Sequence, residues 1–538
     1  MNLFTSNVTA SFTPNMDPDS LRLTTAAWLP GVIATGFFLF LCFTPRVKKG
    51  SPQFTNEKYP IIGSYKFFTH KWFVAFVLRL PQRTFWKSAL LGSKTGNFSF
   101  WLGKNHVVGV SGEAARKMYL DHKDMDHIKG VVLIGHGPDY INGRSTTQHG
   151  IWLPVMAGNK SYAQRNVLSA QKTAELTKRL PNVTRDARLA FEAVAKPPYN
   201  GIANPAHLCC VLTWMQGTRV FGCDEIIDDP KLRAQLLTYL PILQRTSSCH
   251  LLAFPWASYF SIPYWKRQYG RWGMRQLVTP IVNKRMAYGA EKIDDPIGAM
   301  IDNGDSADYI INYLISMIFI SSANGCVISG AMLYCMAHHQ DWQEKVYNEI
   351  KAVANAVAKD KSASLIDQLD SLSVKDWENM SASLDLCYKE CIRMWVAFPM
   401  GRMNEGKTDI KIPGTNEIIP AGGLACYNTI DVHYKEKLYP QPLKWDPARF
   451  GEGRKEMEQE AYGFMGWGGG RHPCNGIRWA KIQQNMMLAY ALGMYKWTGC
   501  FPDGSPNPEF IPPTTALNEL APALPQNLFC KAVPREKA

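Results

Sequence analysis

The chain has 538 residues, of which 46% are hydrophobic, 12% aromatic and 19% charged, and its formal charge is +14. This apolar content, with ordinary numbers of glycine (41) and proline (34), excludes disordered, collagen-like and low-complexity chains. Thirteen cysteines without a CxxC pair argue against zinc ribbons, thioredoxin-like chemistry and a disulfide scaffold, and fit a reducing compartment.

Length alone suggests three or four domains, yet no solenoid or propeller period recurs and no composition break appears after the amino-terminal region. The basic balance suits nucleic acid, an anionic membrane or an acidic protein partner. No nucleic-acid module appears, so nucleic acid is not an expected partner.

Residues 1–22 read as a lumenal tail and 23–43 as a transmembrane anchor. From Leu23 to Phe43 no residue is charged, and a helix of that length spans about 30 Å, one hydrocarbon core. Arg46, Lys48 and Lys49 follow the run. By the positive-inside rule that flank stays cytoplasmic, and a signal peptide would carry its charge first. Asn7-Val8-Thr9 is then a glycosylation sequon on the lumenal side, while Asn97, Asn159, Asn182 and Asn379 face the cytosol.

Residues 44–63 read as a basic, proline-rich linker ending in Pro60-Ile61-Ile62-Gly63, and 64–538 as one catalytic domain, mainly α with minor β. An aromatic stretch from Phe254 to Trp265, followed by Lys266, Arg267 and Arg271, suits a membrane-facing loop or ordinary packing. Helical patterns cover 307–357, 376–395 and 477–497; Thr408–Ile412 and Leu424–Tyr427 are strand-like. Cys209-Cys210 and the pair Cys387 and Cys391 read as core cysteines.

The most informative stretch is Trp467-Gly468-Gly469-Gly470-Arg471-His472-Pro473-Cys474-Asn475-Gly476, which leads into a helix. Glycines such as Gly470 and Gly476 permit positive φ and close approach to a flat ligand. A helix amino terminus and basic neighbours are expected to lower the Cys474 thiol pKa, and thiolate is the form that ligates iron. Read alone, Cys474 also fits a buried structural cysteine beside a turn. Upstream, Glu390 and Arg393 lie three apart on one helix face, and Arg449 sits in the loop Asp446-Pro447-Ala448-Arg449-Phe450. The three are candidates for a charge-assisted network, although each alone is unremarkable.

In order and spacing these motifs resemble the cytochrome P450 family, from the anchor to the carboxyl terminus. The resemblance implies a haem-thiolate domain with haem b, in which Cys474 is the axial iron ligand. It implies that Glu390, Arg393 and Arg449 form a structural triad, and that His472, Arg402 and the ring of Trp467 adjoin the haem, with Arg165 a further candidate. Trp467 stands where the family usually has Phe. It further implies electrons from NADPH through cytochrome P450 reductase, with cytochrome b5 a second candidate donor, and a single-pass endoplasmic reticulum protein with a cytosolic catalytic domain.

The family's oxygen-activation motif aligns with Ser321-Ser322-Ala323-Asn324-Gly325. Ala323 stands where an acid is usual and Asn324 where threonine is usual. That pair normally relays protons to dioxygen; Asn can hold water but does not titrate at neutral pH. Ser321 and Ser322 are candidate hydroxyls, depending on the helix face they occupy. The sterol 7α- and 12α-hydroxylases and prostacyclin synthase are similar here, with Asn in this helix and Trp at the position of Trp467.

The expected activity is therefore insertion of one oxygen atom from O2 into a lipophilic small molecule. By resemblance to fungal specialised-metabolism enzymes, that molecule is a terpenoid, steroid, polyketide or alkaloid. The alternative is an isomerase or dehydratase acting on an already oxygenated substrate.

Overall fold

The computed structural model describes residues 47–54, 93–102, 105–127, 162–245, 262–396, 399–513 and 527–535, with short pieces at 30–32, 34–36, 130, 140–141 and 144–145. Most of the 23–43 run, the Asn7 sequon, Pro60–Gly63 and most of the aromatic stretch before Ile262 lie outside the described residues. Residues 30–32 and 34–36 are helical. By contacts the chain divides at Val47, and Lys48–Ala538 form one compact unit.

That unit begins inside the stretch read as linker. Lys48 pairs with Asp409 at 2.8 Å, Ile418 N–H donates to the Gly50 carbonyl, and Ser99 Oγ donates to the Pro52 carbonyl. Residues 48–54 therefore belong to the fold, because their backbone groups are satisfied by its sheet.

Helices dominate. We label α1 Glu113–Asp121, α2 Thr173–Glu192, α3 Pro205–Val220, α4 Pro230–Arg245, α5 Ile262–Met286, α6 Ala307–His338, α7 Gln340–Val357, α8 Ala382–Trp395 and α9 Ile477–Met494. Ser306 caps α6 by accepting from Tyr309 N–H. Almost every side of α6 is apolar and buried, so it forms the central rod of the core. It packs against α3, α5, α8 and α9. Among the described residues it is the one helix long and apolar enough to cross a membrane, and its burial here marks it as a core helix.

The helical patterns are broken where local chemistry stops them. The 307–357 pattern divides at His339, whose φ of −127° and ψ of 82° leave the helical region. The 376–395 pattern divides into Val374–Glu378 and α8, because Ser373 and Asp376 make a capping box and Ser381 caps α8. The 477–497 pattern ends at Met494. Tyr495–Cys500 is instead a strand, paired antiparallel with Phe529–Pro534.

The main sheet contains β1 Phe98–Leu102, β2 Asn105–Gly109, β3 Met125–Asp126, β4 Pro399–Asn404 and β5 Leu424–Asn428, in the order β1-β2-β5-β4-β3. β5 runs parallel to β2, and the other pairs are antiparallel. The Thr408–Ile412 pattern contributes only Ile410–Lys411, paired with Ile418–Ile419. Cys209, Cys387 and Cys391 are core residues, the last within 3.8 Å of the Cys335 sulfur, and Cys210 is partly buried.

Candidate functional site

The loop from Trp467 to Gly476 folds as a tight hairpin at the head of α9. Gly468 pairs with Pro473 and Gly469 with His472, and Cys474 N–H donates to the Trp467 carbonyl at 2.8 Å. Gly468 and Gly470 have φ of 68° and 60°. A Cβ on Gly470 would lie 2.3 Å from the Leu120 carbonyl oxygen, so this turn admits no side chain. At the end of the loop, a Cβ on Gly476 would stand 3.9 Å from the Cys474 sulfur.

Eleven cysteines are described and none is in a disulfide; Cys474 is the one whose surface is exposed. Protein encloses it on its other sides. Burial raises its thiol pKa above the ordinary value, and the Gly476 N–H, donating to the sulfur, only partly opposes that. The expected acidification by the helix terminus is thus overturned: desolvation of the thiolate outweighs one backbone N–H. Behind the thiol, Tyr388 is buried and its ring meets Trp467 edge-on at 5.4 Å. Burial holds the Tyr388 phenol well above its ordinary pKa, and Cys474 adds to this.

A cationic corner lies on the other side of the hairpin. Arg402, on β4, is 3% exposed and donates to the Tyr119 and Leu120 carbonyls, both at 2.9 Å. Among the described residues no carboxylate lies at ion-pair distance from it, and burial lowers its pKa. His472 stacks on His127 at 5.8 Å. Burial, then Arg402, lowers the His472 pKa, and the same causes with His472 bring His127 to about 3. His127 escaped the sequence reading, where it is an isolated histidine. Arg165 lies on the helix Tyr162–Ala170 with its side chain exposed.

Glu390 and Arg393 are both 0% exposed and joined by two bonds, Nε–Oε2 at 2.7 Å and Nη2–Oε1 at 2.8 Å. Arg393 also donates to the His433 and Pro442 carbonyls. Arg449 Nε stands 3.4 Å from Glu390 Oε1 without hydrogen-bond alignment, while its Nη1 pairs with Glu456 at 3.2 Å. The network therefore extends past the triad to Glu456, and through it to Arg454 and Asp446, members that the sequence did not disclose. Burial raises the Glu390 pKa, with Arg393, Arg449 and the Asp446 N–H opposing.

In α6 the residues of the candidate relay divide between faces. Ile320, 43% exposed, and the exposed Asn324 lie on one open arc with partly buried Ala323. Ser322 is fully buried on the opposite face, where its Oγ donates to the Ile318 carbonyl at 2.6 Å and accepts from Gln244 at 2.8 Å. Ser321 faces α3, with its Oγ 2.9 Å from where a Gly217 Cβ would stand. Ser322 is therefore off the open arc that carries Asn324, while Ser321 is partly buried at its margin beside α3.

The sequence model of the cytochrome P450 family matches residues 69–521. A cytochrome P450 monooxygenase of Pseudocercospora fijiensis is 74% identical over 505 residues, covering 94% of this chain and all of the relative. The cytochrome P450 monooxygenase AacuE of Aspergillus aculeatus is 47% identical, covering 95% of this chain and 99% of the relative. Among solved structures, a cyanobacterial P450 with retinoic acid bound superposes with a TM-score of 0.66 at 17% identity, over 91% of this chain and all of that one.

Proposed function

The chain belongs to the cytochrome P450 family and is a P450 monooxygenase, an enzyme that uses haem b and electrons from NADPH through a redox partner; from this we propose which residues hold the haem, which handle protons, and what class of molecule is oxidised. The observation that carries the reading is Cys474, the exposed cysteine among the eleven described, presented by a glycine-turned hairpin at the head of α9.

Three features fit a flat, iron-bearing dianion. The Cys474 sulfur is open on one side and enclosed elsewhere. Arg402 is a buried guanidinium without a carboxylate at ion-pair distance among the described residues, the arrangement a propionate would complete. The Gly468–Gly470 turn leaves backbone where side chains would collide.

In this reading the Cys474 sulfur would hold the haem iron, as thiolate, the form in which a thiol ligates a metal. Arg402, with His472 and His127 beside it, would hold the propionates. Tyr388 and Trp467 exclude water behind the sulfur. When bound, thiolate-ligated haem supplies the oxidising chemistry, with the electron-rich sulfur favouring O–O cleavage.

In this reading the open arc of Ile320, Ala323 and Asn324 on α6 would face the substrate. The Asn324 Nδ2–H groups donate and its Oδ1 accepts, so the side chain orients a water that carries the proton, while no side chain at 323 or 324 can release one. The apolar Ile320 and Ala323 on that arc suit a lipophilic small molecule. The terpenoid, steroid, polyketide and alkaloid classes, in specialised metabolism, are the proposed range. NADPH–cytochrome P450 reductase is the proposed donor. We further propose that residues 23–43 anchor the chain in the endoplasmic reticulum membrane with the catalytic unit cytosolic.

Turnover of candidate intermediates with NADPH, reductase and isotopically labelled dioxygen tests this. One labelled oxygen atom in the product is expected. One observation favours a second reading, rearrangement of an oxygenated substrate: positions 323 and 324 lack both acid and hydroxyl, and Ser322 is turned off the open arc. Product formed from a peroxide without NADPH would establish that reading instead.

A further inference from the structure

We propose that Gln244 is a positioning residue for the reaction, clasping the turn of α6 that presents Asn324. Gln244 is the penultimate residue of α4, and its side-chain amide joins three helices. Its Oε1 accepts from the Trp214 indole N–H on α3 at 3.1 Å. Its Nε2 donates to Ser322 Oγ at 2.8 Å and to the Phe319 carbonyl at 3.3 Å, both on α6.

The Ile318 and Phe319 carbonyls are the helical acceptors for the N–H groups of Ser322 and Ala323. Each is shared. Ser321 Oγ and Ser322 Oγ donate to the Ile318 carbonyl at 3.3 and 2.6 Å, and Ser322 Oγ reaches the Phe319 carbonyl at 3.3 Å alongside Gln244. Side-chain donors on helical carbonyls draw them outward and loosen the ladder on that side. At 100° per residue Ser322, the side chain that Gln244 grips, stands about 160° round the helix from both Ile320 and Asn324. Gln244 and Ser322 therefore set the backbone of the turn on whose far side the Asn324 amide stands.

An amide meets both demands at once, its oxygen accepting from the indole and its NH2 donating twice to α6. A carboxylate at 244 would accept from Trp214 but could not donate to the Phe319 carbonyl. It would also draw the Ser322 O–H away from the Ile318 carbonyl. This inference rests on the assignment of the α6 arc to the reaction cleft, so one of its readouts does not depend on that assignment.

The test uses the haem-loaded full chain and its variants Gln244→Leu and Gln244→Glu. Amide hydrogen exchange is followed in a peptide covering 316–326, with one covering 382–393 as reference. Exchange in the first is expected to rise about fivefold, the factor for a lost hydrogen bond worth about 1 kcal/mol, with the reference unchanged. With NADPH and reductase, hydrogen peroxide released per NADPH is expected to rise about twofold or more as the Asn324 water loses its place. Ser322→Ala should reproduce both effects, and Trp214→Phe, which keeps both bonds to α6, should shift exchange by less than about twofold.

Unchanged exchange at 316–326 overturns the clasp, as does a uniform rise in both peptides. Faster local exchange with unchanged peroxide release overturns the positioning role and leaves the family chemistry standing. If Gln244→Leu fails to fold, Gln244→Glu and Ser322→Ala decide by the same outcomes.

Discussion

Replacing Arg393 with methionine is the sharpest perturbation of the fold that supports the site. The change removes two bonds to Glu390 and one each to the His433 and Pro442 carbonyls. Glu390 is then left with no exposed surface, an unaligned Arg449 at 3.4 Å and the Asp446 N–H. Breaking a buried pair by removing one partner costs about 3–5 kcal/mol, and orphaned carbonyls bring the expected loss toward the top of that range. Against a total stability of about 5–15 kcal/mol this is a large fraction.

Urea unfolding followed by tryptophan fluorescence reads the loss as a lower midpoint at unchanged slope. The double variant Glu390→Leu with Arg393→Met removes the buried charge as well and leaves Arg449 with Glu456. It should recover about half of the loss or more, because a whole pair exchanged for apolar residues is often neutral. A double variant as unstable as the sum of its two single variants would refute the reasoning, as would an Arg393→Met midpoint within about 1 kcal/mol of the parent.

Gly470→Ala should lower haem content and stability by at least about 1–2 kcal/mol, from its positive φ and the Leu120 carbonyl, while Gly453→Ala, which meets nothing within 4 Å, should be silent. Arg402→Gln should speed haem transfer to an apo-globin acceptor with circular dichroism unchanged; an unchanged transfer rate would remove Arg402 from the propionate site. His433, fully buried beside Arg393 and Arg116, has its pKa lowered to about 3 from 6.5. Below 6.5 the unfolded chain gains a proton that the folded one refuses, so this contribution is complete above 6.5 and is lost as pH falls toward 3. The loss is about 2 kcal/mol between pH 7 and pH 5, and urea midpoints for His433→Gln should flatten that limb. A limb of the same steepness would assign the acid sensitivity elsewhere.

What the sequence disclosed and what it hid follow from how each feature is encoded. The Cys474 loop was legible because its glycines, cysteine and helix start are consecutive. Glu390 and Arg393 were legible because i,i+3 spacing on a helix is local. Glu456 and His127 were not, since each meets its partner only through loop geometry. Helix α6 is apolar nearly all round, so its sequence carries no phase, and the faces of Ser321, Ser322 and Asn324 needed the structure. The acidity expected of Cys474 failed because desolvation has no local signature. The strand Tyr495–Cys500 follows α9 directly, with Gly493 in the last helical turn as its one local mark, and pairs with the distant Phe529–Pro534.

The central claim is that Cys474 ligates the haem iron. The reduced carbon monoxide difference spectrum of the purified full chain tests it most directly. The red-shifted Soret band of thiolate ligation should be present in the parent and absent in Cys474→Ala, with the Glu390–Arg393 fold intact by circular dichroism. An unchanged red-shifted band in Cys474→Ala would contradict the account.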